Sequence, residues 1–70
     1  MSKEADILRY LYKGHSLTGE ECLFKFHTMK LSTRVSEWRK EGHEIVGVWE
    51  EHEDGRHMRY SIPTWRVNNG

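Results

Sequence analysis

The sequence predicts one α+β domain in which three helices precede a C-terminal β-hairpin. Three observations carry this. Apolar residues recur at helical spacing in three successive segments before Gly42. Asp54-Gly55 then sits between two strand-like runs, EIVGVWEEHE and RHMRYSIP, and Asp-Gly in that setting signals a tight hairpin turn. The chain has 70 residues, the size of a single domain.

The first helix spans roughly Lys3 to Lys13. Ile7, Leu8, Leu11 and Tyr12, with Tyr10 beside them, follow its period, and Gly14 stops it. The second begins just after Thr18, because Thr18 and Glu21 form a T-x-x-E capping box. It is short, and Cys22, Leu23 and Phe26 give it an inner face. The third is LSTRVSEWRKEG, in which Leu31, Val35 and Trp38 share a stripe and Gly42 ends the helix. Only His27 to Lys30 separate the last two helices. A short helix, a tight turn and a longer amphipathic helix match a helix-turn-helix outline.

A turn at Asp54-Gly55 fixes a register in the hairpin. It sets Trp49 opposite Tyr60, Glu51 opposite Met58, Glu50 opposite Arg59 and Glu53 opposite Arg56. Ile45, Gly47 and Trp49 then share a face with Met58, Tyr60 and Ile62, and that face is expected to pack on the helices. Pro63 ends the second strand, since it has no N–H to give a ladder. The domain is expected to cover residues 1–63. Residues 64–70 read as a flexible tail, with Trp65 packing back over the first helix or serving as an exposed anchor for a partner. Three helices followed by strand, turn and strand is the order of a winged helix-turn-helix.

Composition narrows the function classes. The single Cys22 excludes an internal disulfide framework and suits a reducing cytoplasm. No apolar run approaches a membrane span, and the N-terminal stretch lacks a signal-peptide core. Eleven basic residues balance eleven acidic ones, so the formal net charge is zero. DNA-binding domains usually carry a basic surplus, so any basic footprint here must come from segregation of charge. No enzyme is expected. There is no glycine-rich phosphate loop, and Cys22 has no evident base and orienting group. No cofactor and no metal site are expected either. Cys22 and His27 are five residues apart and do not share a helix face, while His52 and His57 across the hairpin supply only two ligands.

The stretch LTGEECLFKFHTMKLSTRVSEWRKEGHEI, followed by RYSI, resembles the small winged helix-turn-helix proteins of bacteriophages and prophages. Leu17-Thr18, Glu21, Leu23, Phe26, Leu31-Ser32, Arg34, Val35, Glu37, Arg39, Gly42-His43, Ile45 and Tyr60 carry the likeness. It implies a cytoplasmic, phage-type DNA-binding module. Two positions depart from the pattern. His27 stands where glycine is common, which predicts a differently shaped turn. Glu50, Glu51, Glu53 and Asp54 make the hairpin acidic, which opposes approach to phosphates.

On that reading the third helix is the binding element. A helical wheel places Thr33, Ser36, Glu37 and Lys40 outermost, with Ser32, Arg34 and Arg39 on the flanks. Ser32 and Thr33, near the helix N-terminus, suit phosphate contacts. Arg34 reaches for guanine N7 and O6 in a major groove. Lys30 and Lys40 grip the flanking strands. Glu37 opposes the reading unless it accepts from a cytosine amine; Glu37 and Glu41 can instead pair with Arg34 and Lys40. In the hairpin, Arg56 and Arg59 are read first as neutralising Glu53 and Glu50 across the strands; Arg56, next to the tip, is the candidate wing contact.

The expected function is therefore a DNA-binding transcriptional regulator or accessory factor. It would act on double-stranded DNA as a dimer or a cooperative assembly, since a single module makes a small interface. The alternative is a phage-encoded module that grips a host protein, such as RNA polymerase or a nucleoprotein complex. Zero net charge, the acidic hairpin and Trp65 favour that alternative.

Overall fold

The computed structural model describes residues 3–63. The tail expected over residues 64–70, and Trp65 with it, lies outside the described residues. Three helices and a three-stranded antiparallel sheet make up the domain: α1 (Lys3–Tyr12), β1 (Ser16–Thr18), α2 (Gly19–Phe26), α3 (Leu31–Lys40), β2 (Val46–His52) and β3 (Gly55–Ser61). The sheet order is β1-β3-β2.

Each helix forms for local reasons and is held by its buried stripe. α1 has Glu4 and Asp6 in its first turn and Arg9 in its last, signs that suit the helix dipole. It buries Ile7 and Leu11, and Gly14 follows it with φ +96°. The capping box of α2 is complete: Thr18 Oγ1 accepts from the Glu21 N–H at 3.1 Å, and Glu21 Oε1 accepts from the Thr18 N–H at 3.2 Å. α3 buries Leu31, Val35 and Trp38, the expected stripe. These side chains join Leu17, Cys22, Ile45 and Ile62 in one core. Leu23, expected on the inner face of α2, is instead 42% exposed; at that position the helix looks past the core.

Strand β1 is absent from the sequence reading. It has only three residues, Ser-Leu-Thr, too few for a period to show. What makes it a strand is β3, against which Ser16, Leu17 and Thr18 pair with Ser61, Tyr60 and Arg59. Thr18 closes this strand and caps the next helix.

The hairpin register also differs from expectation. The observed pairs are Gly47 with Tyr60, Val48 with Arg59, Trp49 with Met58, Glu50 with His57, Glu51 with Arg56 and His52 with Gly55. The turn residues are thus Glu53 and Asp54, not Asp54 and Gly55. A two-residue turn centred on Asp54-Gly55 needs positive φ at both residues. Gly55 has φ +128°, but Asp54 keeps ordinary negative φ, His27 being the sole non-glycine with positive φ among the described residues. The slip is two residues, so every side chain keeps its face. Ile45 and Ile62 pack into the core as expected, and Tyr60 packs partly against it. Trp49 does not: it lies on the same face, but further out along the hairpin, and is 60% exposed.

Candidate nucleic-acid interface

The turn between α2 and α3 sets the exposed face of α3. His27 takes the left-handed conformation itself, φ 58° and ψ 37°, and its N–H bonds the Leu23 carbonyl at 2.9 Å. The turn thus has the shape glycine would give it, rather than the altered one expected from His. Lys30 occupies the N-cap of α3 without a side-chain cap bond. A helix N-terminus whose N-cap side chain makes no cap bond favours an anion.

Ser32, Thr33, Ser36, Glu37 and Lys40 are exposed on α3, as the wheel predicts. Among the described residues neither Lys30 nor Lys40 makes an ion pair. Arg34 does. Its guanidinium lies 2.8 Å from Glu37 and 3.2 Å from Glu4 of α1. Glu37 and Glu4 raise its pKa, Glu37 the more strongly through its hydrogen bond. Arg34 thus bridges α3 to α1, and it reaches a base only by exchanging carboxylate for guanine. Arg39 faces the other way: its Nε donates to the Ile45 carbonyl at 3.0 Å and its guanidinium lies 5.9 Å from the Tyr60 ring centre.

In the hairpin, Arg56 is exposed. Its partner across the strands is Glu51, not the expected Glu53, and its guanidinium sits 5.7 Å from the centre of the Trp49 ring. Ser32 and Arg56 border one cleft, together with Gly19, Met29 and Met58. Of the expected contact residues, the fold therefore brings together Ser32 from the third helix and Arg56 from the wing. The other α3 residues of the set stand outside that cleft.

Arg59 does more than neutralise Glu50. Nη1 and Nη2 each donate to a Glu21 carboxylate oxygen at 2.9 Å, Nη1 also reaches Ser16 Oγ at 3.1 Å, and Nε donates to Glu50. Glu21, the capping-box partner of Thr18, is thus also the anchor of the hairpin. Arg59 holds the carboxyls of Glu21 and Glu50 below their ordinary value of 4.5, and its own pKa is raised by both. Nothing local in the sequence links Arg59 to Glu21. The link follows from the pairing of β1 with β3, which sets Thr18 beside Arg59.

Three further groups bear on chemistry. Cys22 is fully buried, and burial pushes its thiol up, away from the reactive thiolate. Tyr12 Oη and His43 Nδ1 share a hydrogen bond of 2.7 Å between α1 and the residues after α3. Glu20, Asp54 and His57 bring three potential metal-ligand atoms within 4.8 Å of one another. The sequence sets His52 opposite His57, but nothing local in it places Glu20 beside His57.

Comparison with family models, curated proteins and solved structures finds no match. The class is therefore defined by the elements themselves: an α+β domain of three helices and a three-stranded antiparallel sheet, a layout compatible with a winged helix. Among the described residues no helix is long and apolar enough to cross a membrane.

Proposed function

We propose that this chain is a winged helix-turn-helix DNA-binding protein of the bacteriophage and prophage kind. It acts as a transcriptional regulator or accessory factor, with α3 in the major groove. The observation that carries the reading is the cleft bordered by Ser32 of α3 and Arg56 of the hairpin, beside a helix whose outer face is Thr33, Ser36, Glu37 and Lys40. A phosphate strand entering that cleft meets the open N-terminus of α3 on one side and a guanidinium on the other. Lys30 and Lys40 lie at opposite ends of the helix and suit the two flanking phosphate backbones. Ser36 suits a base edge or a bridging water. Glu37 already neutralises Arg34, which lowers the cost of a carboxylate on that face.

Binding of a labelled duplex at two salt concentrations tests this. Affinity falls as salt rises, because neutralised phosphates release counterions. Lys30→Ala, Lys40→Ala and Arg56→Ala each lower the salt slope by about one. Absence of salt-sensitive binding at micromolar protein contradicts the reading.

A second reading has its own observation. Phe24 is 86% exposed and Leu23 42% exposed on α2, and Leu23 borders a cleft with exposed Met29. Exposed apolar side chains grouped this way suit a protein partner. A Phe24→Ser variant that binds DNA normally but loses a host protein from its complexes favours that reading.

A further inference from the structure

We propose that the wing turn and the start of α2 form a binding site for a divalent transition cation of the zinc class, with His57, Asp54 and Glu20 as its protein ligands. One ligand atom from each lies within 4.8 Å of the others, and His57 Nε2 is already 3.0 Å from Asp54 Oδ1. Zinc-class ions hold imidazole nitrogen and carboxylate oxygen at about 2.0–2.2 Å, which spaces adjacent ligand atoms by roughly 3.0–3.5 Å. The His57–Asp54 pair has that spacing in a hydrogen bond, which the ion would replace, the proton between the two atoms leaving to solvent. Glu20 is exposed, and its ligand atom lies within 4.8 Å of the other two, a gap that its side chain would have to narrow on binding.

The backbone that sets this spacing is held by contacts the ligands do not use. Glu20 is followed by Glu21, which grips Arg59 with both carboxylate oxygens. Arg59 lies two residues beyond His57 on β3. The start of α2 and the end of the hairpin are thus clamped together one residue from one ligand and two from another. The ligands come from a helix, a turn and a strand, so a bound ion would staple the turn to α2.

The ligand types point to the class of ion. Imidazole suits zinc, nickel, cobalt and copper, whereas calcium takes six to eight oxygens and magnesium keeps most of its water. Three protein ligands leave a position for water or for a fourth side chain. His52 is the side chain at hand, with its ring centre 4.6 Å from that of His57. The ion's two positive charges would offset the two carboxylates, removing part of the negative charge of the hairpin turn.

The test uses the full, tag-free chain stripped with a chelator and titrated with zinc chloride, followed by calorimetry and by the imidazole signals of the histidines. The expected result is one zinc per chain, with the His57 ring signals moving. His57→Ala, Asp54→Asn and Glu20→Gln each weaken binding by about tenfold or more. His15→Ala leaves it unchanged, since His15 stacks on Tyr10 of α1. Circular dichroism confirms that each variant stays folded. No binding at millimolar zinc overturns the proposal. So does affinity unaltered by His57→Ala, or magnesium binding as tightly as zinc, because either reduces the site to a pair of carboxylates.

Discussion

The helical half and the hairpin of this domain are held by different forces. In the helices the contacts are apolar and dry: Ile7, Leu11, Leu31 and Val35 are all at most 1% exposed. In the hairpin, among the described residues, Ile45 and Ile62 at its base are buried in the core and Tyr60 packs partly against it, while Val48 and Trp49 further out are 57% and 60% exposed. What fixes the hairpin is polar: Arg59 on Glu21, Glu50 and Ser16, and Arg39 on the Ile45 carbonyl. The lesson is that a small domain can spend its apolar residues on one half and attach the other by charge. The hairpin should then answer to pH and to single polar substitutions, and the helices to cavities.

The largest expected effect lies in the helices. Trp38→Ala removes a side chain that is 6% exposed and should cost roughly 3–5 kcal/mol, enough to unfold much of a domain this size. Thermal or urea unfolding measures it, and a stable Trp38→Ala would break the comparison.

Arg59→Met comes next. It removes hydrogen bonds to two carboxylates at a partly exposed site, a loss of about 1–3 kcal/mol. Amide exchange should show that loss chiefly in β1 and β3, with α1 and α3 little changed. Uniform loss of protection would mean that the two halves are not separately held.

Acid should act in the same direction. The folded pKa values of Glu21 and Glu50 lie below their ordinary value because Arg59 donates to each, and that of Asp54 is lowered by His57. A group with a depressed folded pKa stabilises fully above its unfolded pKa and loses that contribution as pH falls through the folded value. Hairpin protection should therefore decline below about pH 4.5, before the helical core gives way. The partial or full exposure of these three carboxylates keeps the effect small.

His27→Gly should go the other way. A left-handed non-glycine residue costs about 1–2 kcal/mol, and glycine's extra freedom when unfolded returns part of that. A net gain of up to about 1 kcal/mol in unfolding free energy is expected. A loss would mean that the His27 side chain contributes more than its backbone costs.

Much of the helical half was legible in the sequence because its determinants are local. The capping box at Thr18 and Glu21, the stripe of Leu31, Val35 and Trp38, and the glycines after α1 and α3 each act within a few residues. The hairpin was legible only as to its faces. Alternation fixed which side chains point inward, and a two-residue slip left that intact, but the register depended on the φ of Asp54, which Asp-Gly does not dictate. β1 was not legible, since its three residues become a strand only through β3. The candidate site divides in the same way. The exposed Ser32, Thr33, Ser36 and Lys40 follow from helical phase. The engagement of Arg34 with Glu4, the cleft shared by Ser32 and Arg56, and the meeting of Glu20 with His57 depend on contacts between distant segments.

Amide spectra of the labelled protein, titrated with a short duplex at low and high salt, decide whether α3 and the wing form one DNA-binding face. Salt-sensitive shifts are expected at Lys30, Ser32, Thr33, Ser36, Lys40 and Arg56. Shifts absent at micromolar protein, or confined to Leu23 and Phe24 on α2, would contradict such a face.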